Sequence, residues 1–106
     1  MTNQIIIVGR LVHDCVEYAT TDEKFFTTFT IANNENKEKV NFIDCKAFGE
    51  IGKAIKRYCK KGSLVLVKGK LRQEKYQTKD QENRSKYVVI VDSIDFLSNT
   101  ETGKSE

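Results

Sequence analysis

FIDCKAFGEIGKAIKRYCKKGSLVLVKGKLRQEKY, residues 42 to 76, is the stretch of this sequence that decides the fold. Its first part, Phe42 to Phe48, alternates as a half-buried strand does, and a second strand begins at Ser63 and extends towards Tyr76. A helical pattern separates the two strands, and basic residues are distributed through all three segments. The other segments are interpreted as strands and connections that complete the fold around these three elements.

The helix is predicted to run from Glu50 to about Cys59. Its apolar residues recur at the spacing of one buried helical stripe, which comprises Ile51, Ala54, Ile55, Tyr58 and Cys59. Lys60 and Lys61 complement the C-terminus of this helix, and Gly62 is well placed to end it. We therefore expect a structural helix whose lysines lie mostly in solvent.

Further strands are predicted on either side of this unit. QIIIVGRLV, residues 4–12, is a strand that bends at Gly9. FFTTFTIAN, residues 25–33, is a strand that places Phe29 and Ile31 in the core, and residues 87–97 form the last strand. The connections are polar: a loop or frayed continuation of the first strand at 13–24, a turn at 33–39 and a long hairpin tip at 77–86.

On each of two strands, one face is apolar and the other carries charged side chains. The small apolar face of residues 40–48, which comprises Ile43, Cys45 and Ala47, is assigned to the core. On the strand that follows Ser63, Val65, Val67 and Leu71 share one parity. The second face of residues 40–48 combines aromatic rings with charge: Phe42, Asp44, Lys46 and Phe48. On the strand that follows Ser63, the second face is basic and comprises Lys68, Lys70 and Arg72. The second strand is expected to bend at Gly69.

The length of 106 residues allows one domain with a single modest core. The predicted order is strand, strand, strand, helix, strand, strand. This order favours an all-β fold, a five-stranded OB-fold Greek-key barrel with one α-helix between strands 3 and 4. We expect this domain to occupy residues 1–98, and we expect the tail, residues 99–106, to be disordered because it lacks apolar side chains.

The charge of the chain is unevenly distributed, although its formal net value is only +3. Residues 39–88 carry fourteen basic and five acidic side chains, a net charge of +9, whereas residues 1–38 and 89–106 each carry a net charge of −3. A basic middle segment is compatible with a solvated lysine-rich surface and equally with a polyanionic partner.

Several classes of protein are excluded by simple features. No apolar run approaches the roughly 20 residues that cross a bilayer, and the N-terminus lacks the pattern of a signal peptide, so a cytoplasmic location is expected. The three cysteines lack metal-ligand or redox spacing, and we expect two buried thiols and one, Cys15, in a loop. The lone His13 is expected at the surface. No metal and no cofactor are predicted.

Aromatic and basic side chains are interleaved on two neighbouring strands. Lys46 lies between Phe42 and Phe48, and the basic face of the next strand leads to Lys75 and Tyr76. Rings on which bases stack, beside cations that neutralise phosphates, are typical of a surface that binds unpaired nucleic acid without sequence preference. The alternative is that the rings are buried against a hairpin or a second subunit.

Five linked motifs resemble the bacterial single-stranded DNA-binding protein family. They are Asn3 to Leu11, Phe29 to Ala32, Phe42 to Gly49, Tyr58 to Ser63, and Val67 to Arg72 leading to Tyr76. The resemblance covers residues 3 to 97 and implies an OB fold, usually assembled as a homotetramer. It also implies that the chain protects single-stranded DNA during replication, recombination and repair.

The resemblance also suggests which residues contact DNA. By position, Phe42, Phe48 and Tyr76 match the base-stacking aromatics of the family, and Lys46, Arg72 and Lys75 fall in its DNA-contacting strands. Arg10, Lys68 and Lys70 are added to this set because their side chains are basic, more than because they match a motif. Cellular members of the family end in a flexible linker and an acidic tip that recruits replication enzymes. This chain ends at Ser105-Glu106 without them, so recruitment by that route is not expected.

Three alternatives are left open by the sequence. One is a dimeric OB protein resembling primosomal replication protein N, which acts in replication restart. The second is a protein-interaction OB domain that binds no nucleic acid. The third is an enzyme, which is disfavoured because the chain has no nucleophile beside a base, no paired carboxylates and no phosphate-binding loop.

Overall fold

A computed structural model describes residues 1–19 and 25–98 of the chain. Six strands and one helix lie in these residues: β1 (Ile5–Leu11), β2 (Val16–Ala19), β3 (Phe25–Asn34), β4 (Val40–Phe48), α1 (Gly49–Tyr58), β5 (Leu64–Gln77) and β6 (Asn83–Ser98). The predicted disordered tail at 99–106 lies outside the described residues. Within them, the only helix has ten residues and is too short to cross a bilayer.

Five of the strands form a closed ring. Their order is β1-β5-β6-β4-β3, and β1 closes the ring by pairing with β3 at Arg10 and Leu11. Because α1 lies between the third and fourth strands of this ring, the predicted five-stranded OB barrel with one helix is confirmed. Long-range antiparallel pairing, which includes the whole of β4 against β3, holds the ring together.

The segment predicted as a loop at residues 13–24 contains an additional strand. β2 pairs antiparallel with the start of β3, so that Val16 lies opposite Thr28 and Tyr18 lies opposite Phe26. Only Glu17 interrupts the apolar run from Cys15 to Ala19, and this alternation is too brief to predict a strand on its own. The strand extends the sheet outside the ring beyond β3.

The core lies inside the ring and under α1. Phe29 and Ile31 are buried as predicted, and so are Cys45 and Ala47, while Ile43 is only partly buried. All three cysteines are buried, which includes the thiol expected in a loop. Cys15 follows β1 in a loop that packs into the core.

Both glycines at which a bend was predicted lie where backbones approach too closely for a side chain. A Cβ on Gly9 would lie 2.7 Å from the carbonyl oxygen of Ala32, at the closure between β1 and β3. A Cβ on Gly69 would collide with the carbonyl of Ile90, and the register of β5 against β6 shifts between Lys68 and Gly69. Glycine is therefore required at both positions.

The helix departs from the predicted stripe at one position. Ile55 and Cys59 are buried and Ile51 is partly buried, but Tyr58 is 58% exposed. Its ring lies on the surface against Phe96 of β6, with the ring centroids 5.7 Å apart. Gly62 lies beyond the end of α1, where its φ of +91° closes the turn that leads into β5.

The hairpin of β5 and β6 projects beyond the ring. We call residues 71–77 and 83–87, with the turn between them, the arm; all of the strand residues in it are exposed except the half-buried Glu74. Leu71 is 42% exposed although it shares a parity with the buried Val65 and Val67, because the pairing of β5 with β1 ends at Gly69. The predicted long tip is also shorter than expected, since the strands continue to Gln77 and from Asn83.

Candidate nucleic-acid interface

Strand register brings side chains from four strands onto one surface. Thr28 lies opposite Lys46, Lys46 is paired with Ile90, and Ile90 lies opposite Lys70. Residues at alternate positions along each strand share this side of the sheet. We call this surface the outer face: Phe26, Thr28, Thr30, Phe42, Asp44, Lys46, Phe48, Lys70, Arg72, Glu74, Tyr76, Arg84, Lys86, Val88 and Ile90.

The three predicted stacking rings are all accessible. Phe42 is 67% exposed, Phe48 is 42% exposed and Tyr76 is 48% exposed. Phe42 and Phe48 lie at opposite ends of β4, while Tyr76 lies near the end of the arm. None of the three is buried within the subunit, so each can present a ring to a base.

Lys46 occupies the middle of the outer face and is half-buried. Its Nζ donates to Oε2 of Glu74 at 2.8 Å, and this contact joins β4 to the arm across β6. The same Nζ lies 5.0 Å from the ring centroid of Phe26, within the range of a cation–π contact. The ammonium group is therefore held close to the aromatic end of the outer face.

A ladder of three rings stands at that end. Tyr18 of β2 stacks on Phe26 of β3, with centroids 5.3 Å apart and planes at 23°. Phe26 in turn contacts Phe48 of β4, with centroids 5.6 Å apart. We call Tyr18, Phe26 and Phe48 the ring ladder. Sequence reasoning missed Tyr18 and Phe26, although the alternation of FFTTFT already placed Phe26 on the face opposite Phe29.

A groove of about 340 Å³ runs beside the ring ladder. Its lining includes Tyr18, Phe26, Thr28, Asp44, Lys46 and Lys86. Asp44 is exposed at one side of the groove, where its Oδ1 accepts a hydrogen bond from Thr30 Oγ1 at 2.9 Å. The groove therefore offers aromatic, cationic and hydrogen-bonding groups together.

The remaining predicted basic residues are divided between surfaces. Lys70 and Arg72 are exposed on the outer face, at the base of the arm. Lys75 lies opposite Ser85 and on the reverse side of the arm from Arg72 and Tyr76. Lys68 lies opposite Ile6 of β1, beyond the register shift at Gly69.

Arg10 lies next to one end of the outer face, on the same side of the sheet as Phe42. Arg10 is paired with Ala32 of β3, and Ala32 is in turn paired with Phe42 of β4. The guanidinium Nη1 donates to the carbonyl oxygen of Gly62 at 2.9 Å, which leaves its other donors for a further contact. Alternation along β5 places Lys68 on the same side as Lys70, so Lys75 is the one residue of the nine predicted ones that the register places on the reverse side of the sheet.

The thiols are unsuited to chemistry at neutral pH. Burial raises the pKa of Cys15 to about 11 and the pKa of both Cys45 and Cys59 to about 12. A thiol with so high a pKa remains protonated, and the protonated form is a poor nucleophile and metal ligand. In the part of the chain that the structure describes, no three His, Cys, Asp or Glu side chains are grouped as a metal site.

Comparison with known proteins gives consistent matches along the chain. A family model described as the single-strand binding protein family matches residues 2–97. A protein named single-stranded DNA-binding protein from Clostridium perfringens is 33% identical over 95% of this chain and 69% of its own length.

Two further relatives carry the same name. The protein from Staphylococcus epidermidis is 34% identical over 92% of this chain and 78% of its own length. The protein from onion yellows phytoplasma is 35% identical over 93% of this chain and 97% of its own length. These matches favour the resemblance over the primosomal alternative, and the chain belongs to the single-strand binding protein family.

Proposed function

We propose that this protein binds single-stranded DNA without sequence preference and acts as a binding protein rather than an enzyme. The observation that carries the proposal is the outer face, where the exposed rings of Phe42, Phe48 and Tyr76 accompany Lys46 and Arg72. The family match and the names of the relatives support the choice of DNA as ligand.

The physical basis is that each nucleotide offers two different groups to the surface. Its base has a flat face that stacks on a ring, and its phosphate carries a charge that Lys and Arg neutralise. Duplex DNA hides its base faces, so the outer face should prefer single strands. The proposed contact residues are Arg10, Phe42, Lys46, Phe48, Lys68, Lys70, Arg72, Lys75 and Tyr76.

We further propose that the protein assembles as a homotetramer in the cytoplasm and protects single strands during replication, recombination and repair. Among the described residues, Ile5 to Gly9 of β1 has a ladder partner on one side only. The outward side chains of this segment are apolar, with Ile6 57% exposed and Val8 37% exposed. An open strand edge with apolar neighbours is a suitable surface for a second subunit.

Anisotropy titrations of labelled oligo-dT and of a matched duplex test the proposed ligand. We expect the wild-type protein to bind oligo-dT much more tightly than the duplex and to lose affinity as salt is raised. Phe42→Ala and Phe48→Ala should each weaken oligo-dT binding by roughly 5- to 100-fold, because each removes a stacking ring. Failure of the wild-type protein to bind oligo-dT at low salt would support a protein-interaction domain instead.

A further inference from the structure

Strand β2 brings an aromatic residue to the interface that no motif of the sequence assigned to it. Tyr18 lies opposite Phe26 on the neighbouring strand and is 49% exposed. One of its ring faces is covered by Phe26, because the two rings stack with only 23° between their planes. The other face of Tyr18 has no ring contact within the described residues.

Phe26 lies between two rings and a cation. Tyr18 and Phe48 each contact it, and Lys46 lies over its ring. Phe26 is only partly exposed, so it has little surface left for a ligand. The packing of Phe26 instead fixes Tyr18 and Phe48 at the two ends of the ring ladder.

The ring ladder is closed to insertion. Planar groups in contact lie about 3.5 Å apart, so a base placed between two rings needs about 7 Å between their planes. The centroid distances of 5.3 Å and 5.6 Å are too short for that. A base can therefore stack only on an open ring at an end of the ladder.

We propose that Tyr18 is an additional base-stacking residue and that Phe26 is the residue that positions it. This inference rests on the proposed binding of single-stranded DNA. The ring ladder makes Tyr18 and Phe48 two ends of one rigid site, so consecutive parts of the strand contact both β2 and β4. β2 thereby contributes directly to binding, although it lies outside the ring of strands.

The groove beside the ring ladder fits this role in size and chemistry. Its volume of about 340 Å³ is at the lower end of the range of roughly 300–1,000 Å³ that small-molecule sites occupy. Thr28 and Asp44 line it with hydrogen-bonding groups, and Lys86 places a cation at the same groove. A base on Tyr18 would thus have polar groups near its edge and a positive charge near its phosphate.

Tyrosine fluorescence gives a direct test, because the chain has four tyrosines and no tryptophan. Tyr18→Phe keeps the ring and removes its emission. We expect this variant to bind oligo-dT as tightly as the wild-type protein but to show a smaller decrease in tyrosine emission on binding. Tyr58→Phe is the matched control, since Tyr58 is similarly exposed but lies on α1 against Phe96; it should leave the decrease due to Tyr18 in place.

Affinity provides the second measurement. Tyr18→Ala should weaken oligo-dT binding by roughly 5- to 100-fold, whereas Tyr58→Ala should change it less than 2-fold, or about 0.4 kcal/mol. Thermal unfolding of both variants separates loss of contact from loss of fold. The Tyr18→Phe measurement stands even if the alanine variant unfolds.

The outcomes separate this inference from the proposed function. If Phe42→Ala weakens binding while Tyr18→Ala binds normally and Tyr18→Phe shows the full decrease in emission, Tyr18 does not contact DNA and only the inference is overturned. If the wild-type protein does not bind oligo-dT, the proposed function fails and the inference fails with it.

Discussion

The pKa values of the three buried thiols depend on the surroundings of each side chain in the core. Desolvation is the largest cause of the raised pKa at each of them, because the charged thiolate is disfavoured away from water. At Cys59 the neighbouring Cys15 adds to the effect, whereas at Cys15 the Lys56 ammonium acts in the opposite direction. The cysteines therefore serve as small apolar residues of the core.

This environment predicts a loss of stability in alkaline solution. An unfolded thiol releases its proton near pH 9, whereas the folded thiols retain theirs until about pH 11 to 12. Their contribution to stability is therefore fully present below pH 9 and is lost as the pH rises towards 12. Urea unfolding at a series of pH values from about 7.5 to about 10.5, a range that spans the ordinary pKa of a thiol, should show a falling free energy of unfolding.

Cys45→Ala is the control for this prediction. The alanine variant should be less stable at neutral pH, because it leaves a small cavity, but its stability should fall less steeply above pH 9 than that of the wild-type protein. Equal slopes for the two proteins would show that other groups cause the alkaline loss.

At the scale of elements, the arm is tied to the ring of strands by Lys46 of β4 and Glu74 of β5. The side chains are only 19% and 25% exposed, so this pair is better shielded than the Lys53–Glu50 pair on α1. A phosphate that binds Lys46 has to compete with the Glu74 carboxylate. Glu74 therefore opposes binding at the centre of the outer face.

Glu74→Gln should consequently tighten the binding of oligo-dT by roughly 2- to 5-fold at low salt, because a neutral amide competes less strongly for Lys46. The gain should shrink as salt is added. Anisotropy titration at two salt concentrations measures both effects. Glu50→Gln, which removes a carboxylate from an exposed pair on α1, should leave the affinity nearly unchanged. Weaker binding by Glu74→Gln would mean that the pair organises the surface for DNA.

Most elements could be predicted from the sequence because their periodicity is strong. The helix was predicted within one residue of its observed limits, Gly49–Tyr58, and the register of β5 shifts at Gly69, where a bend was predicted. What periodicity cannot indicate is whether a neighbour covers a given face. Leu71 and Tyr58 have the spacing of core residues, yet both are exposed. The pairing of β5 with β1 ends before Leu71, and the ring of Tyr58 contacts Phe96 on the surface.

The candidate site was predicted less completely than the fold, because a surface depends on which strands become neighbours. The alternation along β4 correctly placed Phe42, Lys46 and Phe48 on one side of that strand. The ring ladder could not be predicted, since it needs the pairing of β2 with β3. Lys75 was assigned because the resemblance matches its strand, and only the register shows that it lies on the opposite side of the arm from Arg72 and Tyr76.

At the scale of the whole molecule, residues 5–9 of β1 pair with a neighbouring strand on one side only. Ile6→Glu should disrupt the proposed tetramer while leaving the subunit folded, because the side chain is exposed in the single chain but would be buried by a partner. Light scattering coupled to size exclusion measures the mass. Val40→Glu is the control, since Val40 is also an exposed apolar residue at the start of a strand. An unchanged mass for Ile6→Glu would place the subunit contact elsewhere.

The two sides of the arm have a consequence for the shape of bound DNA. Arg72 and Tyr76 lie on one side and Lys75 lies on the other, so no straight path touches all three. A strand of DNA that used all of them would have to turn around the edge of the arm. The contacts of a single subunit would then be enough to curve the bound DNA, without any contact to a second subunit.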